Sequence, residues 1–125
     1  MGQKYLLDTN VILDFMGEKL PEKSMFFLSK IIDEQINISA INKIELLGFY
    51  NPEQILIDLV NFSEIYHIDN AIIDKTIELR KKHKIKLPDA IIAATAIVHD
   101  FILISHNFRD FHKITELNFL DSYHC

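Results

Sequence analysis

The feature of this chain that most limits its fold is a regular alternation of short apolar runs and longer helical patterns. The short runs, rich in apolar and β-branched residues, predict strands at Tyr5–Leu7, Ile36–Ser39, Glu64–Ile68, Phe101–Ser105 and Asn118–Leu120. Helical patterns fill the intervals between these runs. Buried strands that alternate with helices favour a parallel sheet covered on both faces and joined by right-handed crossovers. The sequence therefore predicts an α/β fold with a central parallel sheet of four to five strands.

Proline in a first helical turn and Ser, Asp or Asn at an N-cap mark the starts of the helices. They predict helices over residues 21–34 and 39–50, from residue 52, from residue 69 or 70 to about residue 84, and after Asp8 and Asp89. No internal repeat, low-complexity tract or linker interrupts this pattern. Residues 1–125 are therefore expected to form one domain.

Composition and charge limit the classes of protein to which the chain can belong. Its 125 residues, 49% of them hydrophobic, suffice for a continuous core. The only cysteine is Cys125 and no secretory signal pattern is present, so a reducing, cytoplasmic setting is expected. The apolar runs on either side of His99 and Asp100 are too short to span a bilayer, so no membrane association is expected. A net charge of −5 argues against nucleic-acid binding through an overall positive field.

Residues 80–86 are basic, in contrast to the net negative charge of the chain. This stretch reads Arg-Lys-Lys-His-Lys-Ile-Lys and ends three residues before Asp89. Such a run is most often the solvated end of a helix, where cations complement the helix dipole. Its position beside a carboxylate raises the alternative of phosphate contacts, which makes Lys86 a candidate substrate-binding residue.

Three carboxylates lie beside strongly apolar sequence, where an ionised group is costly unless a cation or hydrogen bonds compensate it. Asp8 follows the first predicted strand directly, Glu45 lies within a helical stretch, and Asp89 follows Pro88 at the start of an apolar helix. Each also has an ordinary explanation, as a helix N-cap, a surface salt bridge and a partner of a helix N-terminus respectively. Because ligands collect at the carboxyl ends of parallel strands, the set predicts a divalent-metal site.

Glu45 is the most informative of the three because of its position on the helix. At 3.6 residues per turn it shares a face with Ile41, Ile44 and Gly48, whereas Asn42 falls on the polar side. Its carboxylate is therefore expected to point inward.

Other side chains that carry chemistry fit a site less well. The six histidines have no zinc-ligand spacing, and no glycine-rich phosphate loop is present. His106, which follows a strand end, is either an exposed loop residue or a substrate contact. Core packing is the expected role of five phenylalanines, and any that remain exposed are expected to contact another subunit: Phe26, Phe27, Phe49, Phe62 and Phe101.

Four motifs, taken in order, resemble those of the PIN-domain family. They are Asp8-Thr9-Asn10 after an apolar strand, the inward Glu45, the run from Asp89 to Ala96, and the run from Ile104 to Phe111. Their order and spacing are similar to those of the single-domain PIN ribonucleases that act as VapC-type toxins, and the likeness covers essentially the whole chain. The resemblance implies an α/β/α sandwich whose acidic cluster holds Mg²⁺ or Mn²⁺ and hydrolyses RNA phosphodiester bonds.

The resemblance also implies roles for individual residues. Asp8 and Asp89 are expected mainly as metal ligands, and Glu45 as a ligand or as the group that orients the attacking water. Hard divalent cations prefer such oxygen ligands, and a bound cation can activate water. The fourth acidic position of the family corresponds to Asn107, which offers a carbonyl oxygen but no charge. Either Asn107 takes part directly or through water, or Asp110 substitutes, or one metal is held before substrate arrives.

Ser105 and Asn10 complete the set of candidate substrate contacts with Lys86. The resemblance further implies a homodimer, and a cognate antitoxin whose flexible segment reaches the acidic groove. An inhibitory arginine there would be electrostatically reasonable.

Three alternatives to a ribonuclease toxin remain open. A catalytically degenerate PIN module would bind RNA or protein without cleavage, as Asn107 and the acidic balance suggest. A phosphoacceptor receiver-like switch needs an Asp and a Lys at strand ends, where this chain has Ser39 and Ser105. A deoxyribonuclease would share the chemistry, because metal-assisted phosphodiester hydrolysis does not itself select the sugar.

Overall fold

The computed structural model describes residues 2–125 and confirms the alternation of strands and helices. The elements are β1 (Tyr5–Leu7), α1 (Thr9–Met16), α2 (Glu22–Glu34), β2 (Asn37–Ser39), α3 (Ala40–Leu47), α4 (Gln54–Phe62), β3 (Glu64–Tyr66), α5 (Asn70–Lys82), α6 (Leu87–Val98), β4 (Ile102–Ser105), α7 (Phe108–Phe111) and β5 (Asn118–Asp121). Within this described part of the chain, no helix is long and apolar enough to cross a membrane.

The five strands are all parallel, but they form two ladders rather than one continuous sheet. One ladder has the order β1-β4-β5 and the other pairs β2 with β3. Strand β2 lies beside β1, where the side chain of Asn37 donates from Nδ2 to the carbonyl oxygen of Tyr5 at 3.0 Å. The side chain of Asn37 thus takes the place of a backbone hydrogen bond between β1 and β2. The predicted parallel architecture is confirmed, with this side-chain bridge dividing the sheet.

Alternate residues of the central strands face two separate apolar layers. Leu6 and Leu103 pack on one side, together with residues of α5 and α6. Leu7 and Ile104 pack on the other side, together with residues of α1, α2, α3 and α4. Because successive side chains of a strand point to opposite faces, this arrangement is a sheet covered by helices on both sides.

Three of the five phenylalanines predicted to lie in the core are exposed. Phe101 is buried and Phe27 is partly buried against Tyr5, but Phe26 and Phe62 are 65% and 83% exposed, and Phe49 is half exposed. The prediction was wrong because the helices of this chain carry apolar residues on more than one face. Leu28 and Ile31 occupy the inner side of α2, which leaves Phe26 outside.

Candidate functional site

The candidate site lies where three parallel strands end and the following helices begin. Asp8 follows β1 and caps α1, Ser39 ends β2 and caps α3, and Ser105 ends β4 just before α7. The first turn of α6 adds Asp89. Parallel strands place their carboxyl ends at one edge of a sheet, which is where such folds bind ligands.

Asp8 is buried and accepts hydrogen bonds on both carboxylate oxygens. Oδ1 accepts from the backbone N–H of Thr9 at 2.8 Å and from Asn42 Nδ2 at 3.2 Å. Oδ2 accepts from Ser105 Oγ at 2.7 Å and from Asn10 Nδ2 at 3.3 Å. Burial raises the pKa of Asp8 above its ordinary value, although the hydrogen bonds from Ser105, Thr9 and Asn42 partly lower it. These four donors fix the orientation of the carboxylate.

Asn42 is a site residue that the sequence analysis missed, because it was assigned to the polar side of its helix. It is fully buried, and its Nδ2 donates to Asp8 Oδ1 at 3.2 Å and to Thr9 Oγ1 at 3.1 Å. Its Oδ1 accepts from the backbone N–H of Ser39 at 2.9 Å, which closes a capping box at the start of α3. The spacing Ser39-x-x-Asn42 carries this signal, because a capping box directs the fourth residue back towards the helix start.

Glu45 is exposed, so the prediction that its carboxylate points inward was wrong. The inward positions of α3 are taken by Asn42 and Leu46 instead. Glu45 nevertheless faces the site, because Thr9 Oγ1 donates to Glu45 Oε1 at 2.6 Å. It therefore lies on the open side of the cleft, where a carboxylate stays hydrated.

Asp89 is half-buried at the start of α6, and its pKa, like that of Asp8, is raised. Its pKa is raised from 3.8 to about 6, chiefly by burial and in addition by the negative charges of Asp8, Asp110 and Glu45, against a lowering by Lys86. The carboxylates of Asp8, Asp110 and Glu45 are therefore close enough to repel that of Asp89. In the described residues, none of the four forms an ion pair with a lysine or arginine.

Asn107 and Asp110 form one corner of the site together. The backbone N–H of Asn107 donates to Ser105 Oγ at 3.0 Å, which ties this corner to Asp8. Asn107 Nδ2 donates to Asp110 Oδ2 at 3.1 Å, and Asn107 Oδ1 accepts from the backbone N–H of Asp110 at 3.4 Å. The carbonyl oxygen of Asn107 is thus used to cap α7, whereas Asp110 supplies the negative charge of this corner.

The other two predicted substrate contacts lie in different surroundings. Asn10 Nδ2 donates to Asp8 Oδ2 and to Ser105 Oγ, and Asn10 Oδ1 accepts from the backbone N–H of His106 at 3.1 Å. Asn10 therefore joins α1 to the end of β4. Lys86 is exposed at the N-cap of α6 and acts on Asp89 only through its charge.

The set of candidate metal ligands fits a hard divalent cation. Its charged groups are all carboxylates, the oxygen ligands that Mg²⁺ and Mn²⁺ prefer. Among residues 2–125, no ion pair with a lysine or arginine offsets the repulsion around Asp89. A bound cation would relieve that repulsion. Over the same residues, no three Asp, Glu, His or Cys side chains already converge on one point. Glu45 and Asp110 are instead held by Thr9 and Asn107, so closing around a cation requires side-chain movement on the open side of the cleft.

We expect Asp89→Asn to stabilise the protein in the presence of a chelator. Because the folded-state pKa of Asp89 is raised, ionisation at neutral pH opposes folding, and the penalty grows as the pH rises from about 4 to about 6. At neutral pH the free energy of unfolding should therefore rise by about 1 kcal/mol in the variant, a figure reduced because Asp89 is only half-buried. Denaturant unfolding at neutral and acidic pH measures the difference.

Asp74→Asn on the exposed surface of α5 is the matched control, because it removes the same charge away from the site. The stabilisation should disappear near pH 4, where Asp89 is protonated in both states, and Mg²⁺ should stabilise the wild type more than Asp89→Asn. Equal stability of Asp89→Asn and the wild type at neutral pH would contradict the repulsion within the cluster.

The fold and the site together define an α/β sandwich with an acidic cleft at the carboxyl ends of parallel strands. The model of the PIN domain family matches residues 5–117, and the chain belongs to that family. No curated protein gives a significant match.

Solved structures of toxin–antitoxin complexes contain chains similar to this one over nearly their whole length. A chain of a toxin–antitoxin complex from Klebsiella pneumoniae is 30% identical with a TM-score of 0.76, covering 98% of this chain and 100% of its own. A chain of VapBC-1 from nontypeable Haemophilus influenzae is 26% identical with a TM-score of 0.77, covering 96% and 98%. A chain of VapBC2 from Rickettsia felis bound to a promoter DNA fragment is 23% identical with a TM-score of 0.78, covering 95% and 98%, and shows the shared fold.

Proposed function

We propose that this protein is a metal-dependent endoribonuclease and the toxin of a VapBC-type toxin–antitoxin pair. The observation that carries the proposal is a cluster of four carboxylates beside the carboxyl ends of the parallel strands, in which Asp8, Asp110 and Glu45 each repel Asp89. The PIN-domain family and the similarity to chains of toxin–antitoxin complexes support it.

In this proposal the carboxylates hold Mg²⁺ or Mn²⁺, with Asp8 and Asp89 as the principal ligands. Asp8 suits that role because four donors fix its orientation. Asp110 rather than Asn107 supplies the fourth group, since the carbonyl oxygen of Asn107 already caps α7. A bound cation of this kind supplies an activated water and neutralises charge on the phosphoryl oxygens.

In this proposal Glu45 orients the attacking water, which is supported by the exposure of its side chain and by the hydrogen bond that one of its oxygens accepts from Thr9. A carboxylate in that position can accept a proton from water as the water attacks. Asn10 and Ser105 hold Asp8 in place. Because Ser105 is fully buried, it orients Asp8 rather than contacting the substrate.

The exposed basic segment beside the acidic cleft supports a nucleic-acid substrate. Arg80, Lys81, Lys82, Lys84 and Lys86 are all exposed, and the segment ends at the helix that carries Asp89. Lysine and arginine contacts to phosphates give sequence-independent affinity for a strand that enters an otherwise acidic site. RNA is preferred over DNA on the family resemblance.

The proposed partners are a cognate antitoxin and a second copy of this chain. The similar structures are toxin–antitoxin and VapBC complexes, which supports an antitoxin partner. Exposed aromatic side chains at Phe26, Phe49 and Phe62 offer apolar surface for protein contacts.

A second candidate function is that of a degenerate PIN module that binds RNA or protein without cleavage. Asn107, which stands at the fourth acidic position of the family, favours it. In this structure Asp110 lies within hydrogen-bond distance of Asn107, so the negative charge of that corner is retained.

Cleavage of a mixed cellular RNA pool by the purified protein tests the proposal. With Mg²⁺ or Mn²⁺ we expect discrete fragments, because a single acidic cluster with contacts to the neighbouring nucleotides selects among sites. A chelator should abolish the fragments and added Mn²⁺ should restore them. Cleavage that persists in the chelator would reject the metal-dependent mechanism, and RNA binding without cleavage in either metal would favour the degenerate module.

A further inference from the structure

His106 lies directly after β4 and is held from three sides at the rim of the acidic site. Its backbone N–H donates to Asn10 Oδ1 at 3.1 Å. Its Nδ1 lies 3.1 Å from Asp121 Oδ1, and its ring lies 4.0 Å, centroid to centroid, from the ring of Tyr123. These three contacts fix the orientation of the imidazole ring.

The residues that support His106 are themselves fixed. Asp121 Oδ1 also accepts from the backbone N–H of Tyr123 at 3.0 Å, which orients the carboxylate. Tyr123 in turn donates from its hydroxyl to Asp14 Oδ2 at 3.1 Å, so the aromatic ring beside the imidazole is anchored to α1. The C-terminal strand and turn thus position a side chain that directly follows β4.

In the neutral imidazole, the hydrogen bond to Asp121 decides which ring nitrogen of His106 carries the proton. An ionised carboxylate only accepts, so Nδ1 must donate to it. In the neutral imidazole Nε2 is then a hydrogen-bond acceptor, and half of the side-chain surface is exposed to solvent. Within residues 2–125, Nε2 makes no hydrogen bond.

We propose that His106 is a substrate-binding residue whose Nε2 accepts a hydrogen bond from the RNA, while Asp121 and Tyr123 act as positioning residues. The partner on the RNA is a donor group, either a ribose 2′-hydroxyl or a base amino group, because phosphate oxygens only accept. Asn10 and Ser105 place His106 beside Asp8, so the contact falls on a nucleotide next to the bond that is cut. This inference rests on the proposed ribonuclease function and adds a specificity contact to it.

Two substitutions separate contact with RNA from a purely structural role. The amide of an asparagine can take the place of Nδ1 and keep the hydrogen bond to Asp121, but it has no atom at the position of Nε2. The amide of a glutamine reaches the position of Nε2. His106→Asn should therefore lose the RNA contact, and His106→Gln should retain much of it.

The test measures the affinity for a short fluorescein-labelled single-stranded RNA by fluorescence anisotropy. Every variant is made in the Asp89→Asn background, so that the RNA stays intact. We expect His106→Asn to raise Kd about five- to tenfold, and His106→Gln to stay within about twofold of the parent. His124→Ala is the matched control, since His124 is an exposed histidine of the same C-terminal turn.

Cleavage kinetics in the otherwise native protein give a second readout. His106→Asn should raise KM by a similar factor and leave kcat within about twofold, because the lost contact is made in the substrate complex as well as in the transition state. A DNA strand of the same sequence, tested for binding, distinguishes the two donors. If the partner is the 2′-hydroxyl, His106→Asn and the parent bind DNA equally. If the partner is a base amino group, His106→Asn binds DNA more weakly than the parent.

Each result bears on one of the two proposals. If His106→Asn bound RNA as tightly as the parent protein, or if His106→Asn and His106→Gln lost equal affinity, the contact through Nε2 would be overturned. The ribonuclease proposal would remain intact. If the Kd values follow the expected pattern but the protein cuts no RNA, the contact is supported and the ribonuclease proposal is rejected. Absence of RNA binding by the parent protein would overturn this inference.

Discussion

Asp89→Asn and Asp8→Asn are each expected to lower RNA cleavage about a thousandfold or more. Each substitution removes one charged oxygen ligand from the proposed metal site, and a loss of that size corresponds to about 4 kcal/mol of transition-state stabilisation. Both proteins should remain folded. At Asp89 the substitution relieves repulsion, and at Asp8 an asparagine can still accept the hydrogen bonds from Thr9 and Asn42.

Single-turnover cleavage of one defined RNA, with circular dichroism of each variant, provides the measurement. Asp74→Asn should cleave at the wild-type rate, because it removes an equal charge from the exposed surface of α5. Wild-type cleavage by both Asp8→Asn and Asp89→Asn would show that the carboxylate cluster is not the catalytic site.

Asn42→Ala is expected to reduce both stability and activity. The substitution removes donors from Asp8 and Thr9 and an acceptor from Ser39, all of them at the buried start of α3. Leaving such groups without partners should lower the free energy of unfolding by about 2–3 kcal/mol. Asp8 then loses part of its orientation, so cleavage should fall about 10- to 100-fold, as it does when a residue that orients a metal ligand is removed.

Denaturant unfolding in a chelator measures the first effect of Asn42→Ala, and cleavage at saturating Mg²⁺ measures the second. Asn61→Ala, on the exposed surface of α4, is the matched control and should change neither. If Asn42→Ala lost stability but kept full activity, Asn42 would serve only to cap α3.

Much of the fold was predictable because it depends on patterns with a local physical cause. The apolar runs and the cap residues Asp8, Ser39 and Asp69 locate strands and helix starts correctly. Pro88 likewise lies in the first turn of α6. The division of the parallel strands into two ladders was not predictable, because it depends on one side chain, Asn37, that meets a strand distant in sequence.

The positions of Asp8 and Asp89 at helix starts were predictable, whereas the geometry around them was less so. Asp8 and Asp89 are conspicuous as charges beside apolar sequence, and their raised pKa values reflect the burial that such sequence implies. Glu45 and Asn42 were assigned to the wrong sides of α3, because a helix of eight residues leaves its orientation to tertiary contacts. Hydrogen bonds across the sheet, such as that from Ser105 to Asp8, decide the rest of the geometry.

The surface was the least predictable part of the molecule. Apolar periodicity cannot tell a phenylalanine that packs inward from one that faces outward on the same helix, as Phe27 and Phe26 of α2 show. The support of His106 was also hidden, because Asp121 and Tyr123 reach it only through the pairing of β4 with β5.

Binding of Mn²⁺, followed by the loss of the electron paramagnetic resonance signal of free Mn²⁺, tests the central claim most directly. The account predicts that the wild-type protein binds Mn²⁺ at the carboxylate cluster, that Mg²⁺ competes for the site, and that Asp8→Asn and Asp89→Asn each weaken binding at least about tenfold, whereas Asp74→Asn does not. Undetectable binding by the folded wild-type protein, or unchanged affinity in both site variants, would contradict a metal site at this cluster.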